Sequence, residues 1–283
     1  MPQLTWFITG CSSGFGEQFV HSILARGDNV IATARNLDKL QHIKQAGAST
    51  LQLDITSSPS AIDETVAKAI SIHGRIDVLL NNAAYVAAGG FEDLKYEDFQ
   101  AQFETNVFGT LKVTQALLPY FRQQKAGTIV FIGSQSGWIG EPGISAYAGS
   151  KFALEGIVES LQQETSHLGI RNLLIEPGRF RTNLLSTGNM KAVSSSIPEY
   201  SDFSKTLIKA FGEADQKQPG DPGKLVQIVV DLVRGEGVAK GKELPLRLPL
   251  GSDCYGLIKA KSEEILRILK EWEGVIKSTD FEG

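Results

Sequence analysis

The sequence predicts an α/β protein: one domain built on a doubly wound parallel sheet with helices on both faces. Three observations carry this expectation. Short apolar runs alternate with amphipathic helical stretches from Leu4 to Ile175, the pattern of strands covered on both sides. The first run passes straight into a glycine-rich turn, Gly10 to Gly16. No internal repeat and no linker divides the 283 residues, so a single domain over 1–283 is expected.

Leu4 to Ile8 reads as the first strand. The helix after it places Phe15, Phe19, Ile23 and Leu24 on one face and closes at Gly27. Val30 to Thr33 is the second strand, followed by a helix through Leu37, Leu40 and Ile43, and Leu51 to Leu53 is the third. Ser58-Pro59 opens the next helix, with serine as N-cap and proline at the first helical position. A strand at Val78 to Leu80, a long helix from about Tyr96 to Phe121, and a strand at Thr128 to Ile132 continue the alternation. A helix from about Ala146 to Leu168 and a strand at Leu173 to Ile175 end it at Pro177-Gly178.

Residues 183–221 are rich in Ser, Gly, Lys and Pro, with one helical stretch around Tyr200 to Phe211. Such a segment in a compact domain predicts a helical lid over a substrate. Residues 222–235 read as a helix. Leu244 to Leu250 predict a strand, which Pro245 and Pro249 confine to a sheet edge. Ser252-Asp253 are placed to cap a last helix reaching about Ile276, so 243–283 form a C-terminal strand and helix.

The composition, 42% hydrophobic and 21% charged, suffices for a sizeable core. A net charge of −4 gives no reason to expect nucleic acid or an anionic membrane as partner. No apolar run approaches the about 20 residues of a membrane helix, and the first ten residues lack the regions of a secretory signal. Cys11 and Cys254 are far apart and lack metal-ligand spacing; they read as free thiols, with no metal site, in a cytoplasmic protein.

The turn Thr9-Gly10-Cys11-Ser12-Ser13-Gly14-Phe15-Gly16 lies between strand and helix. Glycines there let backbone approach a pyrophosphate, whose charge is favoured by free N–H groups at the helix start. Tyr147 and Lys151 are four apart on a helix and share a face. A free tyrosine has a pKa near 10, and a neighbouring ammonium is expected to lower it toward the working range. Ser134 lies just past a strand end, and Asn106 sits inside a helix, where asparagine is otherwise unfavourable.

Together these motifs resemble the short-chain dehydrogenase/reductase family. The resemblance rests on the glycine turn, Asn81-Asn82-Ala83-Ala84, Asn106, Ser134, Tyr147-Ala148-Gly149-Ser150-Lys151 and Pro177-Gly178 through Thr182, in the family's order and spacing. It implies a Rossmann fold and carbonyl/alcohol chemistry, with Tyr147 as proton donor or acceptor and Ser134 bonded to the reacting oxygen. Lys151 would tune Tyr147 and hold the nicotinamide ribose, and Asn106 would hold a water that relays the proton. Cofactor contacts are implied at Gly10, Ser12, Ser13, Gly14, Phe15, Gly16, Asn82, Ala83, Tyr147, Lys151, Pro177, Gly178, Phe180 and Thr182, with Asp54 toward the adenine amino group. The family usually reads Asn-Asn-Ala-Gly, and here Ala84 ends that motif. The stretch Leu246 to Asp253 resembles more loosely the hydroxysteroid- and retinol-dehydrogenase-like members.

The second strand ends Ala34-Arg35 where NAD-preferring folds place an acid. A guanidinium there matches a 2′-phosphate, so NADP(H) is the expected cofactor. Leu184, Leu185, Met190, Ile197, Tyr200, Phe203 and Phe211 in the lid, with Trp138, Ile139, Tyr85 and Val86, suit a lipophilic ketone, aldehyde or secondary alcohol. The resemblance also implies a homodimer or homotetramer paired through the helices expected at 96–121 and 146–168. The competing reading is an NADP-binding redox sensor without turnover.

Overall fold

The alternating apolar runs become strands and helices in register with the sequence pattern. The computed structural model describes residues 2–186 and 188–281. Residues 1, 187, 282 and 283, which fall in the expected domain ends and in the lid, lie outside the described residues. In chain order the elements are β1 (Thr5–Ile8), α1 (Gly14–Ala25), β2 (Asn29–Ala34), α2 (Gln41–Gln45), β3 (Ser49–Gln52), α3 (Pro59–His73) and β4 (Val78–Asn81). Then come β5 (Val86–Ala88), α4 (Tyr96–Phe103), α5 (Thr110–Gln124), β6 (Gly127–Ile132), α6 (Ser145–Thr165) and β7 (Ile170–Pro177). The chain ends with β8 (Met190–Ala192), α7 (Ser201–Ala214), α8 (Pro222–Arg234), β9 (Arg247–Leu250), α9 (Ser252–Glu271) and α10 (Glu273–Lys277).

Seven strands form the main sheet in the order β3-β2-β1-β4-β6-β7-β9, and every neighbouring pair is parallel. Strand alternation sends Trp6 and Ile8 to one face with Phe19, Ile23 and Val229, and Phe7 to the other with Val66, Leu117 and Leu154. Helices α1 and α8 therefore cover one face and α3, α5 and α6 the other, which is the doubly wound arrangement. Strand order reverses at β1, with β2 on one side and β4 on the other. The chain after β1 and after β4 diverges there and leaves a crevice at the carboxyl ends.

β9 lies at the sheet edge beside β7, as Pro249 within it favours. Ser58 caps α3, accepting the Ala61 N–H at 3.4 Å. Other expectations needed correction. The long helix of 96–121 contains one wide turn, Glu104–Gly109, between α4 and α5; Asn106 sits in it, and such turns frequently mark functional sites. Ser252 and Asp253 do not cap α9 through their side chains; Asp253 instead accepts the Arg179 N–H at 2.7 Å, tying α9 to the chain after β7. The expected last helix breaks at Trp272 into α9 and α10.

A second, two-stranded sheet was not anticipated. β5 pairs in parallel with β8, Val86 opposite Met190 and Ala88 opposite Ala192. Three-residue strands are too short for a periodic signal, yet this pair fastens the lid segment to the body. Among the described residues no helix is long and apolar enough to cross a membrane.

Candidate active site

The crevice widens into a cavity of about 650 Å³ that runs from the glycine turn to the lid helix α7. At one end the chain leaves β1 through Gly10 and enters α1 at Gly14, with φ of +72° and +61°, a region that disfavours any residue with a Cβ. A Cβ on Gly10 would lie 2.8 Å from the Ala83 Cα, so the turn packs directly on the chain after β4. Thr9 Oγ1 accepts the N–H groups of Asn82 and Ala83 at 3.0 and 3.1 Å. The Asn82 side chain donates to the carbonyls of Thr9 and Gly10, both at 3.0 Å. Asn82 is thus a brace of the turn.

Ser13, at the head of α1, makes no side-chain cap. The first amides of this helix are left open toward the cavity, which Ser12, Ser13, Gly14 and Phe15 line. Uncapped amides at a helix start, under a turn with no room for a Cβ, fit the pyrophosphate of a dinucleotide. Arg35 and Asp54 line the same cavity where β2 and β3 end. Arg35 is exposed and has no ion-pair partner among the described residues. One Asp54 oxygen is engaged by Thr56, through its N–H at 3.0 Å and its hydroxyl at 2.8 Å.

The other end gathers Ser134, Tyr147 and Lys151, which are 7%, 7% and 2% exposed. Ser134 follows β6 and its Oγ accepts the Ser136 N–H at 3.1 Å. Lys151 donates to the Ile132 carbonyl at 2.6 Å and lies 5.7 Å from the centre of the Tyr147 ring. Pro177, Gly178, Phe180 and Thr182 line the cavity between the two ends. Of the expected site residues, Gly16 and Asn106 stand behind its wall. A Cβ on Gly16 would fall on the Gly10 carbonyl, so its part is close packing of helix against turn.

An uncapped glycine turn and a buried serine, tyrosine and lysine thus share one crevice, and the description of the short chain dehydrogenase family matches residues 5–192. The chain belongs to that family. Oxidoreductase BOA17 of Botryotinia fuckeliana is 35% identical over 275 residues, covering 94% of this chain and 96% of that protein. Retinol dehydrogenase 8 of Homo sapiens is 34% identical over 250 residues, covering 81% and 77%. A short-chain dehydrogenase from Streptomyces avermitilis superposes with a TM-score of 0.87 at 35% identity, over 99% of this chain and 100% of that one. Two structures that share the fold at 18% and 20% identity are complexes with NAD and with 5-hydroxy-NADP, at TM-scores of 0.79 and 0.68.

Within this dehydrogenase fold, the electrostatics of the tyrosine differ from the expectation. Burial pushes the Tyr147 phenol up to about 12; a hydrogen bond with Ser134 pulls down, while Glu141 and Glu155 add to the rise. Burial also brings Lys151 down, to about 8, with Glu155 opposing; the lysine donates to the Ile132 carbonyl and is still an ammonium at neutral pH. Burial outweighs the neighbouring cation for both groups.

Asn106 is buried, and its amide hydrogens point at the Tyr85 carbonyl and Ser150 Oγ, both at 3.2 Å. Its Oδ1 accepts the Tyr85 N–H, also at 3.2 Å, and Ser150 in turn donates to the Tyr147 carbonyl at 2.6 Å. Asn106 therefore links the chain before β5 to helix α6, which carries Tyr147 and Lys151. Gln102 was not singled out from the sequence, yet it is fully buried and binds the Ala87 N–H at 2.7 Å and the Tyr85 carbonyl at 2.9 Å. A glutamine in an amphipathic helix reads as surface, so no sequence signal marks it.

The substrate end is apolar. Val86, Ala88, Ile144 and Tyr147 form a buried cluster against which Leu184, Met190 and Phe211 pack. Val86 and Ala88 face this cluster while Ala87 faces Leu94 and Ala146, the alternation of a strand. Lys191 stands at the rim, 4.9 Å from the Tyr85 ring centre. Ala84, where the family usually has glycine, also lies on the cavity wall. Cys11 and Cys254 are free and buried, and burial pushes both thiols up to about 12.

Proposed function

We propose that this dehydrogenase uses NADP(H) to interconvert a carbonyl and an alcohol on an apolar small molecule, with Tyr147 as general acid or base. The observation that carries the reading is the placement of Ser134, Tyr147 and Lys151 at the apolar end of the same cavity whose far end is the glycine turn. A nicotinamide cofactor held along the glycine turn would supply or accept the hydride. Ser134 bonds the reacting oxygen and fixes it near the Tyr147 hydroxyl. A phenol held up near 12 is protonated at neutral pH, so Tyr147 is charged with its proton for reduction. Below pH 8 Lys151 is an ammonium, which stabilises the phenolate as it forms and bonds the ribose. Asn106, buried behind the cavity wall, positions the helical turn of Tyr147 through Ser150.

Arg35 and the absence of an acid at Ala34 support NADP over NAD. Phe108 and Phe152, each 48% exposed, support pairing of copies through the helical stretches that carry them, as a homodimer or homotetramer.

The test is to follow NADPH and NADH oxidation with a panel of aldehydes and ketones, for wild type and Tyr147→Phe. Wild type turns over an apolar carbonyl with NADPH, and Tyr147→Phe loses about 10²- to 10⁴-fold in kcat while binding NADPH normally. Tight NADPH binding with no turnover of any carbonyl or alcohol would replace this reading with the redox sensor.

A further inference from the structure

Outside the cavity, three elements bring together charges that the mechanism does not use. Helix α6 carries a single stripe spaced by four, Tyr147, Lys151, Glu155 and Glu159. β7 contributes Glu176 and β9 contributes Arg247. Arg247 donates to Glu155, to Glu159 at 2.6 Å and to Glu176 at 2.7 Å, with its guanidinium 4.3 Å from the Trp138 ring centre. Glu155 and Glu176 are 3% and 0% exposed, and one oxygen of each has no hydrogen-bond partner among the described residues.

A single guanidinium cannot neutralise two buried carboxylates and a third at its edge, and uptake of a proton relieves the surplus charge. Burial pushes Glu155 up to about 8, the Glu176 charge pushes the same way, and Arg247 and Lys151 oppose it. The cluster also touches the catalytic turn: a Cβ on Gly137, three residues after Ser134, would strike the Glu155 carboxylate. A groove of about 570 Å³ between α6 and α9, bordered by Trp138, Phe152 and Lys261, reaches Glu155 from outside. The groups around Glu155 are therefore Tyr147, Lys151 and Glu159 on its own helix, Glu176 on β7, Arg247 on β9, and Lys261 and Cys254 on α9.

We propose that Glu155, held by Arg247 and beside Glu176, is a positioning residue for the proton chemistry: it exchanges one proton with solvent through this groove and keeps Lys151 charged beside Tyr147. The proposal rests on Tyr147 and Lys151 as the proton-handling pair. The sign follows from the charges. As pH rises toward 8 Glu155 gives up its proton, and the carboxylate so formed holds the proton on Lys151 against the burial that lowers it to about 8; without that carboxylate Lys151 loses its proton at lower pH.

The experiment is the pH profile of kcat/KM for NADPH-dependent reduction of a carbonyl from the panel. In wild type the rate falls as pH rises through about 8. In Glu155→Gln that alkaline midpoint moves down by about one pH unit. Glu159→Gln also loses an Arg247 partner, but at an exposed carboxylate, and leaves the midpoint in place. Arg247→Met, which lets Glu155 keep its proton to higher pH, moves the midpoint in the same direction as Glu155→Gln and serves if the glutamine variant does not fold. A lowered Tm with an unmoved midpoint means that the cluster is scaffold only and overturns the proposal. If no carbonyl is reduced, the proposed activity fails by itself. The Lys151 Nζ titration, read by 15N NMR and assigned with Lys151→Arg, then decides: a lower midpoint in Glu155→Gln upholds the role of Glu155, and equal midpoints refute it.

Discussion

The two ends of the cavity are built on opposite plans. The dinucleotide end is made of backbone: Gly10 and Gly14 in left-handed conformations, uncapped amides of α1, and the Thr9 hydroxyl bonded to the amides after β4. All of it hangs from β1 and β4, whose residues are buried. The substrate end is made of side chains from β5, β8, α6 and α7. Its lid is fastened by two three-residue strands, and only Ser204 of α7 is buried. A backbone cradle suits a ligand that never changes, whereas a mostly unburied lid helix held by a short sheet lets specificity drift without disturbing the main core.

The backbone cradle is most sensitive at Gly16. A Cβ there would fall on the Gly10 carbonyl and come within 2.7 Å of Asn82 Nδ2, and neither backbone nor brace can give way without opening the turn. Gly16→Val should therefore cost about 3 kcal/mol or more of dinucleotide binding, roughly 150-fold, for NADPH and NADH alike. Fluorescence titration with both dinucleotides measures it. Unchanged affinity would mean that this end is as plastic as the other.

A smaller and more selective effect is expected at Arg35, an exposed side chain on the cavity wall where β2 ends. Arg35→Ala should weaken NADPH by about 1.5–3 kcal/mol, roughly 10- to 150-fold, and leave NADH nearly unchanged. Equal losses for both would remove the argument for a 2′-phosphate contact.

Legibility in the sequence divides along the same line. The cradle could be read because its residues are local: Thr9 to Gly16 is one continuous turn, and Tyr147 and Lys151 are one helical turn apart. The sheet was legible because strands buried on both faces leave long apolar runs. The β5–β8 pair could not be read, since strands so short have no measurable period and their partners are about a hundred residues apart. Gln102 and the Glu155–Glu176–Arg247 cluster escaped for another reason. Gln102, Glu155 and Glu176 look like ordinary polar positions until tertiary packing buries them, and charge in a sequence is normally solvated. The tyrosine pKa was misjudged similarly: the spacing shows the cation, but only the fold shows how deeply both groups are buried.

The smallest effect belongs to the lid. Leu207 of α7 packs against Gly143, where any Cβ would collide with it, and both ends of that contact lie next to the start of α6. Leu207 is half-buried, so truncation to alanine removes only part of a leucine's burial energy, about 1 kcal/mol. Leu207→Ala should raise KM for an apolar carbonyl about 5-fold, with NADPH affinity and the pH profile unchanged. That split is the useful part of the measurement. An equal loss in NADPH binding would show that the lid and the cradle are one mechanical unit, whereas a change in KM alone, growing with the length of the carbonyl's apolar chain, would place α7 against the substrate tail and keep the two ends independent.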